Sequence, residues 1–252
     1  MNGLFDSANT TQARWLTPGL MLLLVMLLTG CALNRPTESE LPAEWFPAHA
    51  GQRADTLLVL LPGARDRGDG FVREGVVDLV RDRRPGWDVV VVDAHMGYYR
   101  ERSVVDRLEK DIIQSAIERG YEQVWLSGPS LGGFGSLLFL CEGDSAPITG
   151  VIVLAPFLGG RSILTDIERA GGPAAWEAGS AGRDFEQVVW TCLRDGVSPE
   201  IWLGWGRSDR MDRGNRLLAE LLPEERVLVI DGGHRWSTWR ELWETLFDRM
   251  PD

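Results

Sequence analysis

The sequence predicts an α/β domain: a mostly parallel sheet of about six strands, helices on its flanks and a small cap segment. Two observations carry this expectation. Short β-branched runs alternate with stretches of helical periodicity through most of the chain, the pattern of parallel strands joined by crossover helices. At the centre, residues 124–135 read VWLSGPSLGGFG, a G-x-S-x-G turn between a strand-like apolar run and a helix-like one.

The elements follow in order. Strands are expected at residues 56–61, 88–93, 123–127, 149–154, 200–204 and 226–231, each short, apolar and bounded by turn residues. Helical periodicity marks residues 70–80 and 103–119. The second puts Val105, Leu108, Ile112 and Ala116 on one face and stops at Gly120, a residue suited to a left-handed helix end. The last helix, about residues 237–250, carries Trp239, Trp243 and Leu246 at spacings of four and three, a stripe that packs on the sheet. Residues 155–198 are long for a single connection and are interrupted by Gly171-Gly172-Pro173, so they read as a small cap or lid.

The N-terminus has a different character. A polar start with Arg14 leads into an apolar run at residues 20–28, followed by Thr29, Gly30, Cys31 and Ala32. Such a run spans only ~14 Å as a helix, against a hydrocarbon core of ~30 Å. It fits a signal-peptide core better than a membrane span. Leu28 to Cys31 resembles the lipobox of bacterial lipoproteins. That resemblance implies removal of residues 1–30 and lipidation of Cys31, although Asp6 offsets Arg14 where the family has a positive start. Ala32, in place of Asp, resembles lipoproteins passed on to the outer membrane, so the expected location is the periplasmic face of the envelope. Residues 31–54 then form the lipidated cysteine and a flexible tether, broken by Pro36, Pro42 and Pro47 and solvated by Glu38, Glu40 and Glu44. Residues 55–252 remain as one domain, large enough for a sizeable core.

A formal net charge of −11 argues against nucleic acid, whose phosphates need a basic surface. It also repels an anionic membrane, which leaves the lipid on Cys31 as the attachment. Beyond Cys31 there are two cysteines, Cys141 and Cys192. An exported compartment permits a bridge between them; two buried free thiols are the alternative.

The G-x-S-x-G turn directs the chemistry. A tight strand–turn–helix holds Ser130 in a strained backbone, with Gly128, Gly132 and Gly133 leaving room for neighbouring chain. Serine alone is a poor nucleophile and needs a base, which in turn needs an orienting acid. Of three histidines, His49 lies in the tether, while His95 and His234 each follow a predicted strand. Gly232 and Gly233 give His234 freedom to approach, so His234 is the expected base and His95 a substrate-side or structural residue. Asp209 follows the preceding strand and is expected as the acid, ahead of Asp212 three residues on. Two N–H donors must meet the oxyanion. Leu131, directly after the nucleophile, supplies one, and Ala64, after Pro62-Gly63, is expected to supply the other.

The order of Pro62-Gly63-Ala64, Gly128 to Gly132, Gly206 to Asp209 and Gly232 to His234 resembles the α/β-hydrolase superfamily over nearly all of residues 55–250. Pro62 stands where many members have histidine, and the family's first antiparallel strands look absent or replaced by the tether. The resemblance implies a compact α/β-hydrolase fold and a Ser130–Asp209–His234 triad. It further implies acyl transfer through a Ser130 acyl-enzyme to water, as in a carboxylesterase or lipase, on a small-molecule or lipid ester. No cofactor and no metal is implied. An acyltransferase or thioesterase on the same triad, and a non-catalytic envelope scaffold of the same fold, are the alternatives.

Overall fold

In the computed structural model the described residues are 35–49, 51, 54–179 and 184–251. The expected signal segment and Cys31 lie outside them. The described residues build one sheet in the order β1-β3-β2-β4-β5-β6-β7. The strands are β1 (Ala43–Phe46), β2 (Thr56–Leu60), β3 (Trp87–Val92), β4 (Gln123–Pro129), β5 (Ile148–Leu154), β6 (Glu200–Gly206) and β7 (Val227–Ile230). All neighbours are parallel except β1, which runs antiparallel to β3. The helices are α1 (Asp69–Arg73), α2 (Val76–Arg83), α3 (Met96–Arg100), α4 (Val104–Arg107), α5 (Gln114–Arg119), α6 (Leu131–Glu142), α7 (Arg161–Arg169), α8 (Phe185–Asp195), α9 (Asp212–Ala219) and α10 (Trp236–Arg249).

Every residue of β2 is buried, as expected of a parallel strand covered on both faces. Leu57, Val59, Val90 and Val92 point into one layer with Ile112, Leu137 and Trp190. Leu58, Leu60, Val89 and Val91 point into the other with Val76, Val80, Trp239, Trp243 and Leu246. The tryptophan stripe of the last helix is therefore core, as its spacing suggests. Arg84 joins α2 to α10 by donating to the carbonyls of Phe247 (2.5 Å) and Met250 (2.7 Å), orphan acceptors at a helix end.

Three expectations change. Where the sequence suggests a flexible tether through residue 54, the chain is docked from Arg35 onward and contributes the seventh strand. Arg35 grips Asp93 with two hydrogen bonds of 2.8 Å, Leu41 is buried, and the backbone of Ala48 donates to Asp88 at 2.7 Å. The prolines flank the strand instead of preventing it, and at a sheet edge a proline removes no needed donor. The helix expected at residues 70–80 is two helices, because Gly75 adopts φ 71° and ends the first turn run. Residues 103–119 are helical with the predicted face buried, but Leu108–Ile113 between α4 and α5 is a π-helical stretch.

The described part of residues 155–198, expected as a cap, carries α7 and α8, and Cys141 of α6 is bonded to Cys192 of α8, their Cα atoms 5.7 Å apart. The cysteines are thus a bridge and not two free thiols. The bond closes a loop of 51 residues, and cross-linking a chain at that separation restricts its unfolded ensemble. The double substitution Cys141→Ser/Cys192→Ser is expected to lower the free energy of unfolding by roughly 2–4 kcal/mol, read from urea denaturation. An unchanged midpoint would show that the bridge contributes nothing to stability.

Candidate active site

The winding of the sheet reverses between β2 and β4, which are neighbours while β3 lies on the far side of β2. In open parallel sheets the crevice at such a reversal, beyond the strands' carboxyl ends, is where ligands bind. The loop after β2 carries Pro62, Gly63 and Ala64, and the turn after β4 carries Ser130. Both flank that crevice.

Ser130 has φ 55° and ψ −115°, a conformation that costs a non-glycine residue ~1–3 kcal/mol. Its backbone is held on both sides. The N–H donates to Leu154 (2.9 Å), and the carbonyl accepts from Phe134 (3.1 Å) and Phe157 (3.0 Å). A Cβ at Gly128 or Gly132 would collide with the Leu61 carbonyl, so both glycines are required by close approach. Leu131 opens α6, and the N–H of a first helical residue has no acceptor within its own helix. The Tyr99 hydroxyl donates to the Leu131 carbonyl at 3.1 Å and fixes that peptide's orientation. Complete burial pushes the Tyr99 phenol far above the usual tyrosine range, which keeps it a donor.

The expected acid and base are brought together. Asp209 Oδ1 and Oδ2 lie 2.9 and 3.0 Å from Nδ1 of His234, the carboxylate is fully buried, and it also accepts from the Met211 N–H at 2.8 Å. The two loops are laced together: Arg207 N–H donates to Ile230 and Ser208 N–H to Gly232, both at 2.8 Å. The Trp239 ring meets the imidazole edge to face with centroids 5.0 Å apart. Nε2 of His234 is buried and has no hydrogen-bond partner among the described residues. The structure therefore joins Asp209 to His234 but shows no hydrogen bond between His234 Nε2 and Ser130.

The competing residues are engaged elsewhere. Asp212 accepts from the Trp205 indole (2.8 Å) and from Arg216 (2.7 Å). His95 caps α3, its Nδ1 accepting from Gly97 N–H at 3.1 Å. Burial, aided by the Arg35 charge, holds its imidazole pKa below the usual value. Ser127 is enclosed in the core, donating to Ile152 (2.6 Å) and accepting from the Trp243 indole (2.8 Å). His49 is exposed beyond the edge strand.

Ala64 lines a cavity of about 310 Å³ together with Ser130 and Leu131. Its loop turns tightly, Asp66 N–H donating to the Gly63 carbonyl at 3.0 Å. Burial raises the Asp66 carboxyl above its usual range, opposed by a hydrogen bond from the Trp236 indole and by Arg73. The cavity also exposes residues that motif reading overlooks: Tyr99, Phe134, Phe157 and Phe185. Phe134 stands one turn beyond the nucleophile and Phe157 just after β5, positions derivable from the elbow itself. Nothing in the sequence singles out Tyr99 or Phe185.

No family model matches the chain, and no curated protein matches it. Solved structures do. A monoacylglycerol lipase from Paleococcus ferrophilus superposes with a TM-score of 0.54 at 17% identity, over 84% of this chain and 100% of that one. An S-formylglutathione hydrolase from Staphylococcus aureus gives 0.54 at 15% identity, over 81% and 82%. An esterase from Pyrococcus furiosus gives 0.54 at 15%, over 83% and 86%. The chain has the fold of these α/β-hydrolases.

The glycine requirement at the elbow is testable on stability alone. Gly132→Ala forces a methyl group into the Leu61 carbonyl and is expected to destabilise by roughly 3 kcal/mol or more, or to prevent folding. Gly160→Ala, where a Cβ meets open space, is expected to change stability by less than about 0.5 kcal/mol. Thermal unfolding of the pair makes the comparison, and a Gly132→Ala midpoint equal to wild type would refute the close-packing argument.

Proposed function

We propose that this α/β-hydrolase-fold protein is a serine ester hydrolase. The observation that carries the reading is a buried Asp209–His234 pair on the same sheet edge as a serine in a strained elbow. In the proposed mechanism Ser130 Oγ attacks the ester carbonyl carbon while Nε2 of His234 takes its proton. Asp209, bonded to Nδ1, fixes the tautomer and stabilises the imidazolium. The N–H groups of Leu131 and Ala64 stabilise the oxyanion. Collapse expels the alcohol, which takes the proton back from His234. Water then attacks the Ser130 acyl-enzyme with His234 again as base, releasing the acid and restoring the serine.

Chemical labelling tests this directly. A fluorophosphonate probe is expected on Ser130 and on no other serine, located by peptide mass spectrometry. Ser130→Ala should lose the label and lower turnover roughly 10⁴- to 10⁶-fold, and Asp209→Asn should lower it about 10⁴-fold. Asp212→Asn should stay within a few-fold of wild type, since its carboxylate serves Trp205 and Arg216. Probe mass on another serine, or undiminished esterase activity in Ser130→Ala, would overturn the assignment.

The enzyme is further proposed to act at the bacterial envelope, tethered through lipid on Cys31. The lipobox-like Leu28 to Cys31 motivates this. Cys31→Ser is expected to abolish palmitate incorporation and to accumulate uncleaved precursor in cells; persistent labelling of the variant would sink the anchor.

A further inference from the structure

With the proposed triad, the cavity beside Ser130 is the place for the acyl half of the substrate. Ser130, Leu131 and Ala64 all line it, whereas His234 does not. The general acid must stand beside the leaving alcohol oxygen, so the alcohol departs on the His234 side and the group in the cavity is the one that stays on Ser130. This orientation rests on the proposed triad.

The walls of that cavity define a chemical class. Tyr99, Phe134, Phe157 and Phe185 contribute four rings, beside the charged residues Arg100, Glu186 and Arg210. Phe134 and Phe157 meet nearly perpendicular, with centroids 5.8 Å apart and planes at 77°, and Tyr99 lies 6.5 Å from Phe134. The Tyr99 ring is tied by its hydroxyl to Leu131, the Phe157 main chain is anchored by its N–H to the Ser130 carbonyl, and Phe185 lies under the Arg102 guanidinium at 3.9 Å. Phe185 also opens α8, the helix bonded to α6 through Cys141–Cys192. A volume of about 310 Å³ is at the lower end of the ~300–1,000 Å³ typical of small-molecule sites.

A preformed set of ring faces and edges favours a planar guest, because aromatic pairs gain from face-to-edge quadrupole contact beyond the area they bury. An alkyl chain of equal carbon number gains no such contact and loses several rotamers on binding. We infer that the natural substrate carries an aryl acyl group, an ester of a phenyl-substituted short-chain carboxylic acid, seated among Tyr99, Phe134, Phe157 and Phe185.

The test compares methyl phenylpropanoate with methyl nonanoate, which share the alcohol, the acyl carbon count and an unconjugated carbonyl. Wild type is expected to show kcat/KM about tenfold or more higher for the aryl ester, the effect of one or two ring contacts. Phe157→Leu, which keeps apolar bulk and removes the ring, is expected to bring the ratio towards unity. Phe134→Leu serves if the first variant does not fold. A wild-type preference for nonanoate, a ratio near one, or a ratio unmoved in the folded variant would overturn the aryl assignment. If neither ester is cleaved but Ser130 still takes the fluorophosphonate label, the aryl assignment fails and the nucleophile stands. If the label is absent as well, the hydrolase reading itself fails.

Discussion

The contact on which the site depends is between backbones. The Leu61 carbonyl, at the end of β2, lies against Gly128 and Gly132 on either side of Ser130, leaving no space for a Cβ at either. Leu61 N–H also donates to the Ser127 carbonyl at 2.8 Å, so strand pairing continues to the brink of the turn. These two features bring the loop that holds Ala64 to the start of α6. The proposed oxyanion donors, Ala64 and Leu131, belong to segments more than sixty residues apart, and this approach brings both to one cavity. A methyl group at either glycine would push the loop away, so the same contact governs both folding and electrostatics.

Strain at Ser130 is held by the sheet around it. A residue at φ 55°, ψ −115° relaxes unless its neighbours over-determine it. Leu154, Phe134 and Phe157 occupy all its backbone hydrogen-bonding capacity, and Leu154 belongs to the adjacent strand. Acid and base are arranged by the same logic on the next two strands. Their loops exchange backbone hydrogen bonds, which positions Asp209 against His234 before any substrate arrives. Preorganisation of this kind is where hydrolytic sites gain most of their transition-state stabilisation.

Much of this was legible in the chain because parallel strands and elbows leave local signatures. The central strands are apolar runs, and Gly128, Gly132 and Gly133 mark a backbone approach whatever the partner is. The place of Asp209 directly after a glycine turn favours it over Asp212, and Asp209 is the carboxylate that contacts His234. The edge strand was not legible. β1 has only four residues, and the prolines and glutamates around it read as solvated chain, since an edge strand needs pairing on one side only. The anchoring Arg35–Asp93 pair is separated by 58 residues, beyond any local pattern. The bridge was open for the same reason: whether two cysteines meet depends on the packing of α8 onto α6, which periodicity does not encode. Breaks at Gly75 and at Leu108–Ile113 depend on backbone detail that a helical pattern averages over.

The bridge also ties α8 to the helix that follows Ser130. α8 enters the cavity through Phe185 and is bonded to α6 at Cys192, while α6 begins at Leu131, the proposed oxyanion donor. A cap held only by side-chain packing would sample open positions, and each would remove one ring from the pocket. A covalent link to the helix that follows Ser130 limits that motion without closing the pocket's mouth. Such a link persists only in an oxidising compartment, the kind of compartment to which the proposed export signal would deliver the domain. In a reducing compartment the same chain would keep its elbow and its Asp209–His234 pair, whose contacts lie within the sheet edge. The wall formed by Phe185 would loosen first, so the proposed acyl selectivity is what loss of the bridge would affect most.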